Sequence, residues 1–125
     1  MALPLREEVR SLLNDIQSAL SALEDEARKN EDRTVPARIV QLQSSFQKIV
    51  VSVAEFGLTP TVEQRLRPLQ TEGHRRLKLA GIAGMRLKAA KQAETIATVE
   101  AQISEHLLQL QKFVEAMADE LCDLE

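Results

Sequence analysis

The sequence predicts an all-α fold, an antiparallel bundle of three to four long helices in a single domain over residues 1–125, and two observations carry that reading. Ala, Leu, Gln, Glu and Arg dominate the composition, while Phe46, Phe56 and Phe113 are the only aromatic residues and Trp and Tyr are absent. Such side chains lose little rotamer freedom in a helix. Apolar residues also recur in alternating steps of three and four along four separate stretches, the spacing that keeps one helical face turned toward a partner. A chain of 125 residues in one domain can bury roughly two-thirds of the surface its unfolded form exposes.

The first series is Val9, Leu13, Ile16, Leu20, Leu23 and Ala27, which places a helix over about residues 4–29. Pro4 is compatible with its first turn, where amide groups have no internal acceptor. The polar run KNEDRT at residues 29–34 has no periodicity and reads as a connection. The second series, Val35, Ile39, Leu42, Phe46, Ile49, Val53 and Phe56, is the most regular. Its β-branched run IVVSV at residues 49–53 would suit a strand, but the helical step continues on both sides and a lone strand would have nothing to pair with. Gly57 supplies the left-handed residue that ends a helix, and Leu58 is placed to pack back on Val53.

The chain restarts at Thr59-Pro60-Thr61, where either Thr59 caps with Pro60 in the first turn or Thr61 caps with Gln64. Val62, Leu66, Leu69, Gly73, Leu77, Ala80, Gly84 and Leu87 form the third series, with two successive steps of four between Leu69 and Leu77. Pro68 lies inside it. A proline there removes a backbone hydrogen bond and crowds the carbonyl four residues earlier, so the expectation is a kink over residues 64–68 or a helix that begins only at Pro68. The fourth series, Ile96, Val99, Ile103, Leu107, Leu110, Val114, Met117, Leu121 and Leu124, would extend roughly 43 Å at 1.5 Å per residue. A stripe that long suggests helices projecting beyond their neighbours and a second copy of the chain to cover them, hence a homodimer.

Charge is strongly polarised along the chain. Residues 65–91 hold eight of the sixteen Lys and Arg residues and one acid, Glu72, for a net charge of +7 against −10 for everything else. This segment can be read as a solvated face, a duplex nucleic-acid surface, a membrane-adsorbing surface or a dock for an acidic protein. The acidic remainder would repel a phosphate backbone, and no exposed aromatic ring is available for base stacking, so nucleic acid is the secondary reading. Membrane adsorption wants large apolar anchors, and the segment offers Leu, Ala and Gly. Gly73, Gly81 and Gly84, with Ala80, Ala83, Ala89 and Ala90, leave a smooth surface on which a helix can lie closely, or else mark a local break over residues 81–84.

Chemistry-bearing constellations are absent from the pattern. His74 and His106 have no second His or Cys three or four residues away that would put two metal ligands on one face. The acids fall in runs on polar faces, and the serines have no glycine elbow or histidine partner. No catalytic role, metal or cofactor is expected. Cys122 is a lone thiol among acids, which would raise its pKa, and it cannot form an internal disulfide. No apolar run approaches a membrane span, and the first ten residues carry acids where a signal peptide carries its apolar core. A cytoplasmic protein is expected.

From Gln70 onward the order Gln70-Thr71-Glu72, His74-Arg75-Arg76-Leu77, Leu79, Gly81, Met85, Leu87, Ala89-Ala90, followed by Ile103, Leu107, Leu110 and Glu115-Ala116, resembles the PatD family of cyanobacterial proteins that influence heterocyst frequency. The resemblance covers somewhat under half the chain, and Gly73 and Gly84 depart from the family's pattern. It implies a small, cytoplasmic, all-helical, non-enzymatic protein that binds the division protein FtsZ and links division to differentiation. FtsZ is acidic and ends in a flexible tail, which makes the basic segment a sensible docking surface. Arg75, Arg76, Lys78, Arg86 and Lys88 are the expected contact residues, with Arg75, Arg76 and Lys78 contributing most.

Overall fold

The computed structural model describes residues 3–29 and 34–122, which form four α-helices: α1 (Leu3–Lys29), α2 (Val35–Phe56), α3 (Pro60–Ala89) and α4 (Ala93–Cys122). No strand occurs among the described residues. The connection at residues 30–33 and the side chains of Ala27, Cys122 and Leu124 lie outside them. Each helix packs on two others, α1 on α2 and α4, α3 on α2 and α4, so α1 and α3 stand diagonally across the bundle. Cross-helix neighbours give the directions. Pro36 lies beside Gly84, Gln43 beside Gly81 and Phe46 beside Gly73, so α2 and α3 run antiparallel. Arg65 meets Glu120, Arg76 meets His106 and Arg86 meets Gln102, so α3 and α4 do too.

The core is wholly apolar: 24 described hydrophobic residues are buried and no polar or charged residue is. In α2 the buried positions Val35, Ile39, Leu42, Phe46, Ile49 and Val53 follow the series read from the sequence, and IVVSV is helical. Gly57 ends α2 at φ 73°, and Leu58 packs against the core. Thr59 caps α3 by accepting a hydrogen bond from the Val62 amide at 3.5 Å, which settles the choice between the two threonines.

Three expectations change. In α1 the buried seam runs through Leu5, Val9, Leu12, Ile16, Ala19 and Leu23, with Leu13 and Leu20 only partly buried beside it. Steps of three and four from Val9 reach the same broad face, and a helix wedged between two neighbours buries a face wide enough for both. In α3 the helix neither begins at Pro68 nor breaks over residues 81–84, but runs unbroken from Pro60 to Ala89. Pro68 is exposed, so the acceptor it leaves without a partner, the Gln64 carbonyl, belongs to an exposed turn, and the buried register continues from Leu66 to Gly73 and Leu77. In α4 Val99, Ile103, Leu107, Leu110, Val114, Met117 and Leu121 are all 0% exposed, so these seven members of the stripe that suggested a second copy are covered inside one chain.

The α3–α4 connection, Ala90 to Gln92, contains neither Gly nor Pro. Ala90 is extended (φ −73°, ψ 132°), its amide donates to the Leu87 carbonyl at 3.3 Å, and the Ile96 amide donates to the Gln92 carbonyl at 3.0 Å. Such bonds close one helix and open the next. No helix among the described residues is long and apolar enough to cross a membrane.

Candidate functional site: the two sides of helix α3

The basic segment is α3 and its exit. Helix α3 carries seven cations against two acids, Glu63 and Glu72, whereas α4 carries six acids against one lysine, Lys112. These two helices share the largest interface of the bundle. Part of the acidic complement that the sequence calls for is therefore the chain's own fourth helix.

The helical turn sorts the cations. Arg65 forms an ion pair with Glu120 at 3.6 Å, Arg86 donates to the Gln102 side-chain oxygen at 3.1 Å, and both bonds reach across to α4. Arg76 is half-buried and directed the same way, with its guanidinium 3.3 Å from His106 Nδ1. Because a guanidinium only donates, this bond requires Nδ1 to hold a lone pair and the imidazole to be neutral. Burial, and next the charge of Arg76, push the His106 pKa below its ordinary 6.5, against a weaker pull upward from Glu105. Arg76 Nε is buried with no hydrogen-bond partner among the described residues. On the other side of α3, Arg67 and Arg75 pair, among the described residues, with Glu63 (3.6 Å) and Glu72 (3.8 Å) of their own helix, in exposed geometry. Lys78 and Lys88 are exposed and form no ion pair among the described residues.

The five expected contact residues thus divide. Arg75, Lys78 and Lys88 face solvent, whereas Arg76 and Arg86 are engaged with α4. Spacing along one helix could have shown this, since Arg65, Arg76 and Arg86 fall on the flank of the apolar stripe nearest one neighbour. Which neighbour occupies that flank is not encoded in the spacing.

The glycines serve the opposite flank, toward α2. A Cβ on Gly73 would lie 2.8 Å from Phe46 Cζ, and one on Gly84 would lie 3.3 Å from Ile39 Cδ1 and 3.6 Å from Pro36 Cα. The three glycines of the smooth surface read from the sequence are where α2 sits, whereas Ala89 is exposed on the outward side. At Gly81 the nearest group is the Gln43 amide, which donates to the Leu77 carbonyl at 3.2 Å.

His74 is exposed on α3 while His106 lies at the α3–α4 seam, and no group of three potential metal ligands occurs among the described residues. A cavity of about 160 Å³ lies at the α2–α3 turn between Val50, Gly57, Leu58, Leu66 and Gln70, with the Arg67–Glu63 pair at its rim and no nucleophile–base pair. Compared with protein-family models, characterised proteins and solved structures, the chain matches none.

Proposed function

We propose that this chain is a non-enzymatic, cytoplasmic regulatory module that captures an acidic protein partner on the outward face of α3, with FtsZ as the partner the resemblance implies and tuning of division and heterocyst differentiation as its role. The observation that supports the reading is the sorting of cations: α4 engages Arg65, Arg76 and Arg86, and leaves Lys78 and Lys88 without a counter-charge among the described residues and Arg67 and Arg75 with exposed ones. Exposed same-helix pairs of that kind contribute little to stability and are readily exchanged for a partner's carboxylates. Duplex nucleic acid fits less well, because α4, with six acids, packs directly against this helix.

Charge reversal at Arg75 and Lys78 tests the proposal. The R75E/K78E variant should lose FtsZ capture at low salt while keeping its helical signal, and undiminished capture would sink the assignment. Arg76→Glu is unsuitable for this purpose, since it would place a carboxylate in the α3–α4 seam. A homodimer is a separate part of the proposal, and the buried members of the α4 stripe do not supply its interface. Sedimentation at tens of micromolar reads it directly.

A further inference from the structure

We infer that the outward face of α3 is a helix-docking stripe, and that its occupant is one amphipathic helix with acids along one half and apolar side chains along the other. This rests on the reading that α3 binds a partner and adds what the docked segment must look like. Arg75, Lys78, Ile82, Met85 and Ala89 follow one another at steps of three, four, three and four, and all five are exposed. The same helix carries Gly73, Leu77, Ala80, Gly84 and Leu87 at steps of four, three, four and three, and all five are buried. Helix α3 therefore bears two stripes of helix-contacting periodicity on opposite sides, one covered by α2 and α4 and one uncovered.

Single exposed apolar residues are ordinary on any surface. Ile82 and Met85 differ because they are consecutive members of a stripe, are 51% and 73% exposed, and continue directly from two cations. An extended acidic tail would satisfy Arg75 and Lys78 and leave Ile82 and Met85 in water. A helix satisfies both ends, since alternating steps of three and four are the spacing at which one helix seats side chains between those of another. Complementarity then assigns the occupant's acids to the Arg75–Lys78 end and its apolar residues to the Ile82–Ala89 end.

The probes are two labelled synthetic helical peptides of about three heptads, with Glu at the seam positions of one half and Leu at those of the other, in opposite chain order. A third peptide has the same composition with the spacing scrambled. Fluorescence anisotropy with the full chain should show one ordered peptide binding at least about tenfold more tightly than the scrambled one. I82S/M85S should remove that difference even at about 0.5 M salt, where ionic contributions are screened, while K78E should weaken binding chiefly at low salt. All three positions are exposed, so the variants keep the fold, and circular dichroism verifies this.

Equal binding of ordered and scrambled peptides, no binding of either, or an unaffected I82S/M85S variant would overturn the inference. So would concentration-dependent dimerisation of the wild type that I82S/M85S abolishes, since the occupant would then be a second copy. FtsZ capture measured in parallel separates the two claims. Capture by wild type and I82S/M85S alike, with the peptides failing, leaves the charge-based dock and removes the helix stripe. Peptide binding without FtsZ capture keeps the stripe and removes FtsZ.

Discussion

Replacing Gly73 by alanine should destabilise the bundle, whereas the same replacement at Gly81 or Gly84 should change it little. Gly73 is buried, and its added Cβ would stand 2.8 Å from Phe46 Cζ, 2.9 Å from Cε2 and 3.7 Å from Leu110 Cδ1. Phe46 is itself 1% exposed, so its ring has no solvent into which to retreat. Overpacking of this kind costs about 1–3 kcal/mol, and an overlap near 1 Å with a rigid ring belongs in the upper half of that range. Alanine returns about 1 kcal/mol of helix preference. The net loss is then about 1–2 kcal/mol, or a melting temperature lowered by about 4–8 °C for a domain of this size. At Gly81 the obstacle is the amide end of Gln43 at 2.6 Å, which can swing away for the loss of one hydrogen bond, about 1 kcal/mol, so gain and loss offset. At Gly84 the closest atom, at 3.3 Å, is the terminal methyl of Ile39, and a shift of a few tenths of an ångström suffices. Urea denaturation followed by far-ultraviolet circular dichroism is the assay, since the chain has neither Trp nor Tyr. Combining Gly73→Ala with Phe46→Leu should show a favourable coupling of about 1 kcal/mol or more. A G73A protein as stable as wild type, or one shifted no more than G81A, would refute the argument.

Further expectations follow from individual contacts. Gly57→Ala adds a Cβ with no atom within 4 Å, so its loss of about 1 kcal/mol reports only the left-handed backbone at φ 73°, and a silent substitution in urea melts would contradict that. Pro68→Ala restores a donor inside a continuous exposed turn and should raise the unfolding free energy in urea melts by about 1–2 kcal/mol after the greater freedom of the unfolded chain is discounted. Folded His106 titrates below 6.5, so between its folded value and 6.5 the unfolded chain binds more protons. The stability this residue contributes is complete above pH 6.5 and falls as pH drops through that window. Wild type should therefore lose more between about pH 7.5 and about pH 5.5 than His106→Gln, as read from urea midpoints. Glu120→Gln, which removes the partly exposed Arg65 pair, should shift stability by no more than about 0.5 kcal/mol in the same melts.

How far the sequence can be read depends on whether the deciding interaction is local. The end of α2 depends on one left-handed glycine, Gly57, legible without any partner. The split between α3 and α4 is marked by phase and not by a turn residue: the stripe that ends at Leu87 would continue at residues 91, 94 and 98, whereas the next one occupies Ile96 and Val99. Pro68 breaks nothing because an exposed turn bears a missing hydrogen bond that a buried one would not, and its exposure is a property of the packed bundle. Leu12 and Leu13 compete for the same face, and only the placing of α2 and α4 on either side of α1 decides between them.

By itself the sequence determined that the chain is helical, that α2 ends at Gly57, that one face of each helix is apolar, and that the cations gather on the third. These are consequences of periodicity and backbone preference within a few residues. Tertiary structure alone decided that α4 engages Arg65, Arg76 and Arg86, that Phe46 is what rests on Gly73, and that Lys78, Ile82 and Met85 remain uncovered. Each of those depends on which helix lies beside which, and that is set by the closing of the four apolar faces on one core.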